Sequence, residues 1–309
     1  MRIVFMGTPE SAVPSLRQCL ADRHEVVAVW TQPDKSSGRG KKISFSPVKE
    51  FALSQGLSVQ QPAKIRTDEA KALFASHNAE VAVVVAYGRI LPGEFLSAPG
   101  LGCVNLHFSL LPKYRGAAPV NWAIVNGEAT TGVTTMFIEE ELDSGPVLLQ
   151  RETAIRHEET ATQLMERLAV MGAELLSETL ANIRSLTPTR QNDDNASFAP
   201  LLKKEDGKVD WFMDAFAIER RVRGFQPWPN VHGFYRSQRL IIWSAAPKNP
   251  GPDEQPAGTI LVAHGEELTI KCGNDTALQL LEVQPEGGRR MAAREFINGA
   301  RLEAGRQME

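Results

Sequence analysis

The sequence predicts an α/β protein: an N-terminal open, mostly parallel, Rossmann-like sheet with helices on both faces, then a small C-terminal β-barrel domain of OB-like pattern. Three observations carry this. Short β-branched runs alternate with helical segments through the first half of the chain. Those runs lack polar alternation, as parallel strands buried on both faces do. Past residue 206 the texture changes to closely spaced, short alternating runs broken by Pro and Gly.

The elements follow in order. "RIVFM" (2–6), "EVVAVW" (25–30) and "VAVVVA" (81–86) read as buried strands. Between them, Ser46 is an N-cap with Pro47 at the first helical position, and Gly56 closes that helix. Thr67, followed by Asp68 and Glu69, opens another that ends near Asn78. The sheet continues through "GCVNLH" (102–107), "GVTTMFI" (132–138) and "PVLLQRETAI" (146–155), and a helix over about 160–184 covers it. The polar stretch "SLTPTRQNDDNASFAP" (185–200) has no periodicity and reads as a linker. The expected division is a catalytic domain over 1–186, a linker over 187–206 and a β-rich domain over 207–309. The last opens on an amphipathic segment, 211–223, followed by strands near 231–243, 258–262, 267–272 and 277–284.

Composition excludes several classes. The chain has 309 residues, enough for two domains, with 42% apolar and 23% charged residues. A net charge of −3 gives no global nucleic-acid signature, so any such function rests on local patches. The three cysteines are far apart with no CxxC, which argues against a disulfide framework and a zinc site and suits a reducing cytoplasm. No apolar run is long enough for a membrane span, and "MRIVFMG" is too short for a signal peptide. The expected protein is cytoplasmic, without a membrane partner, without a metal, and monomeric.

Chemistry concentrates in "GCVNLHFSLLP". Ligands bind outside the carboxyl ends of the strands in open α/β sheets, and Asn105 and His107 sit near such an end. Two apart on a strand, they face one space, and an amide N–H with a protonated imidazole makes two donors suited to a developing oxyanion. Caps on the strand end would use the same residues. Asp143, in "ELDSG", follows the next strand; a carboxylate there would keep the imidazole charged, or simply form an Asx turn. "DKSSGRGKK" carries Lys35, Arg39, Lys41 and Lys42 on a Gly/Ser frame, which reads as a phosphate-binding loop or as a solvated surface loop. It lacks P-loop spacing, and neither a dinucleotide fingerprint nor a G-x-S-x-G elbow occurs.

The segments "GTPE", "QPDKSSGRGKK", "SPVK", "VVAYGRILP", "GCVNLH", "SLLPKYRGAAPV", "LDSG" and "QPWP", in this order, resemble the formyltetrahydrofolate-dependent transferases. The basic loop, "YRGAAP" and the second domain resemble their tRNA-directed branch. The resemblance implies formyl transfer from 10-formyltetrahydrofolate to the methionine of initiator Met-tRNA, with Asn105, His107 and Asp143 catalytic and no metal. It also implies that Ser109, Leu110, Leu111 and Pro112 border the folate, and that the backbone of Ala86, Tyr87, Gly88, Arg89, Ile90 and Leu91 accepts the pterin. Lys35, Arg39, Lys41 and Lys42 would meet the acceptor stem and 3′ end of the tRNA. Phe108, Glu141 and Ser11 depart from the family pattern without touching the three catalytic types.

Overall fold

The computed structural model describes residues 1–37, 42–249, 251 and 254–309, without the side chains of 35–37, 42 and 43. Two compact units emerge. The first comprises 1–119, 130–154 and 165–199; the second comprises 120–129, 155–164 and 200–309. This division is not contiguous, and it assigns 187–199 to the first unit where the composition suggests a linker.

The first unit is built on a seven-stranded sheet. Its strands are β1 (Arg2–Gly7), β2 (Glu25–Trp30), β3 (Val59–Gln60), β4 (Val81–Val85), β5 (Cys103–His107), β6 (Thr130–Phe137) and β7 (Val147–Ala154). The spatial order is β7-β6-β5-β4-β1-β2-β3. Strands β1 to β5 are parallel; β6 runs antiparallel to β5, and β7 to β6. The expected caps are in place: the Ser46 side chain accepts from the Lys49 amide, and Thr67 from that of Ala70.

Register fixes which face each residue serves, because partners across a parallel pair point the same way. Val84 pairs with Asn105. Val84 packs with Trp30, Phe74 and Phe95, whose rings meet edge to face or stacked at 4.1–5.5 Å. Leu106 points to the opposite face, where a Cβ on Gly172 of the long helix Ala161–Asn182 would lie 2.7 Å from its Cδ2. Asn105 therefore sits at the sheet's carboxyl edge, on the aromatic-core face. The three cysteines are free and buried, and burial pushes each thiol up to about 12.

The second unit carries an antiparallel sheet, expected from its alternating runs. Its strands are β8 (Val231–Tyr235), β9 (Gln238–Lys248), β10 (Ile260–His264), β11 (Glu267–Lys271), β12 (Ala277–Pro285) and β13 (Met291–Ala292). The order is β8-β9-β12-β11-β10, with β13 on β12, and among the described residues no ladder joins β8 to β10. The helix Ala215–Gly224, capped by the Asp214 carboxylate on the Ala217 amide, packs against this sheet. The basic residues at the entrance of this unit are engaged: Arg223 pairs with Glu219, and Arg220 and Arg221 donate to the carbonyls of Val125 and Asp206.

Candidate active site

His107 is 6% exposed and Asn105 is half-buried. The Nε2 of His107 lies 2.9 Å from the Tyr114 carbonyl. A carbonyl oxygen only accepts, so Nε2 carries the proton of this bond. The other nitrogen, Nδ1, faces Oδ2 of Asp143 at 3.7 Å, too far for a direct hydrogen bond. The same carboxylate oxygen accepts from the Gly116 amide at 2.8 Å. The Asn105 side chain has no hydrogen-bond partner among the described residues. The site thus offers a free amide, one open imidazole nitrogen and a held carboxylate.

The route by which Asp143 arrives differs from the simple expectation. A loop trailing from a strand beside β5 hangs over the same edge only if the two strands are parallel. Here β6 is antiparallel, with His107 opposite Thr134 and Val104 opposite Phe137, so the loop leaves beside the start of β5. It folds back tightly: a Cβ on Gly145 would fall 1.9 Å from the Phe137 carbonyl. Asp143 adopts a left-handed φ of 50°, which aspartate tolerates better than most residues. Gln191 then donates to the carbonyls of Asp143 and Gly145, both at 2.8 Å.

The segment after His107 is tied down by hydrogen bonds. Buried Thr134 donates to the Ser109 carbonyl at 2.6 Å and accepts from the Leu111 amide at 3.2 Å. The Gln150 amide donates to the Leu111 carbonyl and to Thr134 Oγ1. Ser109 Oγ donates to the Lys113 carbonyl, which rounds off the turn through Pro112. Leu110 lies over Gly132, where a Cβ would come within 2.6 Å of it. Phe108 is 5% exposed, as expected of a ring that packs behind the loop.

On the neighbouring strand end, Ala86 and Gly88 take positive φ of 47° and 81° and are exposed, while Tyr87 and Leu91 are buried and Ile90 is open to solvent. Gln32 and Thr8 both donate to the Tyr87 carbonyl, and Arg89 donates to Gln32 Oε1. The basic loop begins as a short ribbon, Lys35–Ser37 against Lys42–Ser44. Arg39 and Lys41 lie outside the described residues, as do the side chains of Lys35 and Lys42. Asp34 anchors the base of the ribbon: the Gln61 amide and the Lys49 ammonium, 2.6 Å away, hold its carboxyl below the usual carboxylate range.

Comparison with known proteins bears directly on this arrangement. Residues 1–180 match the formyl transferase family model, and residues 201–301 match the formyl transferase C-terminal domain. The methionyl-tRNA formyltransferase of Caldanaerobacter subterraneus subsp. tengcongensis is 48% identical over 99% of both chains. That of Solibacter usitatus is 47% identical over 98% of this chain and 96% of its own.

The chain belongs to the methionyl-tRNA formyltransferase family.

A third relative with the same name, from Methylococcus capsulatus, is 45% identical over 100% of this chain and 99% of its own. The fold is shared more widely. An N-formyltransferase from Helicobacter canadensis, solved with folinic acid and dTDP-3-aminofucose, matches at TM-score 0.67 and 19% identity, over 90% of this chain and 98% of its own. HypX from Aquifex aeolicus, solved with tetrahydrofolic acid, matches at TM-score 0.64 and 19% identity, over 96% of this chain and 47% of its own.

In this member of the methionyl-tRNA formyltransferase family, several residues that hold the site carry no sequence signal. Tyr114 supplies only a carbonyl, from a residue with φ of 62°. Thr134 looks like any β-branched strand residue, and Gln191 lies in the stretch whose composition reads as linker. Among the described residues, no group of three His, Cys, Asp or Glu side chains is placed to hold a metal, and no helix is long and apolar enough to cross a membrane.

Proposed function

We propose that the chain transfers the formyl group of 10-formyltetrahydrofolate to the α-amino group of methionine on initiator Met-tRNA. The observation that carries this reading is 45–48% identity over nearly the whole chain to relatives named methionyl-tRNA formyltransferase. The site chemistry agrees with it. The amine attacks the formyl carbon, and negative charge develops on the formyl oxygen. Asn105, without a hydrogen-bond partner among the described residues, and the Nδ1–H of the protonated His107 are the two proposed donors for that oxygen. With Nε2 committed to Tyr114, only Nδ1 is open to the reacting group. Asp143, 3.7 Å from Nδ1, stabilises the imidazolium and would receive the proton leaving the amine by way of solvent water. The bond from the formyl carbon to N10 then breaks, and the proton ends on N10 of tetrahydrofolate.

The backbone of Ala86–Leu91 would hydrogen-bond the pterin, and Ser109–Pro112 would border the folate. Lys35, Arg39, Lys41 and Lys42 would contact phosphates at the acceptor stem. Formylation assays with charged initiator and elongator Met-tRNA test the reading directly. Incorporation into the initiator with little into the elongator is expected. Equal formylation of both, or none with intact 10-formyltetrahydrofolate, would overturn it.

A further inference from the structure

We infer that Gln191 is a positioning residue that sets where Asp143 stands relative to His107; the inference rests on the proposed role of Asp143. Gln191 lies in residues 181–200, between the spans matched by the two family models.

The Asp143 loop is poorly supported by its own strand. It leaves β6 at the wrong end, turns back at Gly145, and carries Asp143 at a φ of 50°. Two carbonyls of this turn, those of Asp143 and Gly145, need donors if the conformation is to be the one occupied. Gln191 supplies both from its single amide nitrogen, each at 2.8 Å. Its oxygen accepts from Arg115 Nε at 3.0 Å, so both its N–H groups and its oxygen are used.

Arg115 makes the amide orientation unambiguous. It is 3% exposed, and Nη2 donates to Asp193 at 2.8 Å. A guanidinium only donates, so the Gln191 oxygen must face it and the nitrogen must face the turn. The neighbouring Gly116 amide donates to Asp143 Oδ2, and its backbone is itself fixed by Phe198–Ala199, paired with Arg115–Gly116. One segment, 189–199, therefore holds Asp143 from two directions. Gln191 fixes its backbone, and the Arg115–Gly116 strand fixes its carboxylate. The purpose of this hold follows from the 3.7 Å gap to His107. At a contact this long, no direct bond sets the spacing of the two side chains, so the scaffold has to set it.

Steady-state formylation of Met-tRNA tests this with Gln191→Met, Gln191→Glu, Asp143→Asn and the double variant Gln191→Glu/Asp143→Asn. Gln191→Met removes every bond. Gln191→Glu keeps the acceptor for Arg115 and turns a carboxylate toward the two carbonyls, so it retains the test if the Met variant does not fold. The expected result is a kcat loss of about 10–100-fold in both Gln191 variants, with KM for folate and for tRNA nearly unchanged. In the Asp143→Asn background, Gln191→Glu should add little. Wild-type kcat in the Gln191 variants beside a strong Asp143→Asn defect overturns the inference alone, as do losses that multiply in the double variant. Wild-type kcat in Asp143→Asn overturns the catalytic reading beneath it.

Discussion

The Tyr114 carbonyl, not Asp143, fixes the tautomer of His107, because it accepts a hydrogen bond from Nε2–H at 2.9 Å while Asp143 stands 3.7 Å from Nδ1. The division of labour is then clear. A backbone group orients the ring, and the carboxylate is left to respond to charge rather than to hold geometry. On the proposed mechanism, this leaves Nδ1 as the nitrogen available to the reacting group.

Asn105→Ala should separate catalysis from stability. Its amide has no partner among the described residues, so truncation leaves no buried group stranded. Chemical denaturation should show a change within about 0.5 kcal/mol. If the amide donates to the oxyanion, kcat should fall by roughly 10²–10³. A large stability loss would mean that the amide has a structural role.

Thr134→Val should do the opposite. Val is nearly the same shape but leaves the Leu111 amide without its acceptor and the Ser109 carbonyl without its donor, and it removes one of the two bonds of the Gln150 nitrogen. A loss of about 1–3 kcal/mol is expected. The folate KM should rise, because the Ser109–Pro112 turn is loosened, and thermal melts with and without folate would read both effects.

Gly145→Ala tests the fold-back of the Asp143 loop. The new Cβ would lie 1.9 Å from the Phe137 carbonyl, a backbone atom that cannot swing aside. Overpacking of this kind costs about 1–3 kcal/mol, and kcat should fall with it as Asp143 is displaced. Retention of both stability and kcat would show that the turn has another conformation within reach.

The basic loop predicts a salt-dependent KM for tRNA. Replacing Arg39 or Lys41 by Ala should weaken tRNA binding and flatten its dependence on salt, by roughly 0.9 in the log–log slope per lost phosphate contact. The folate KM should not move. An unchanged slope would remove the loop from the tRNA interface.

Three histidines predict a stability loss on mild acidification. Burial holds His24, His77 and His232 below the ordinary histidine value. The N-terminal ammonium adds to this at His24, Arg2 at His77, and Arg239, Lys204 and Lys208 at His232. The unfolded chain therefore binds more protons from about pH 6.5 downward, and stability is full above that value and falls below it. Urea unfolding at pH 7.5 and pH 5.5 should show the fall, and His232→Gln should reduce it.

Most of the framework was legible because it rests on local rules. Apolar runs gave β1, β2 and β4, and Ser46 and Thr67 marked their helix starts. The pairing of Asn105 with His107 on one face followed from strand period alone. What escaped was the sense of β6 and the fate of 187–199. A buried antiparallel strand and a buried parallel one read alike in sequence. A polar stretch held by Gln191 and Ser197 has no apolar period, although Ser197 accepts from the Tyr114 amide. Tyr114 could not be foreseen, because its contribution is a carbonyl, which every residue owns.

The segment 189–199 also sets an order of events during synthesis. A chain emerging from the ribosome presents its N-terminal end first. Asn105, His107 and Asp143 are therefore all made before Gln191 and Ser197 exist to hold the Asp143 turn and Tyr114. On the proposed mechanism, the nascent chain would carry the three proposed catalytic residues yet lack the clasp on the Asp143 turn. Competence would arrive late, as the last turn of a lock whose pins are already in place.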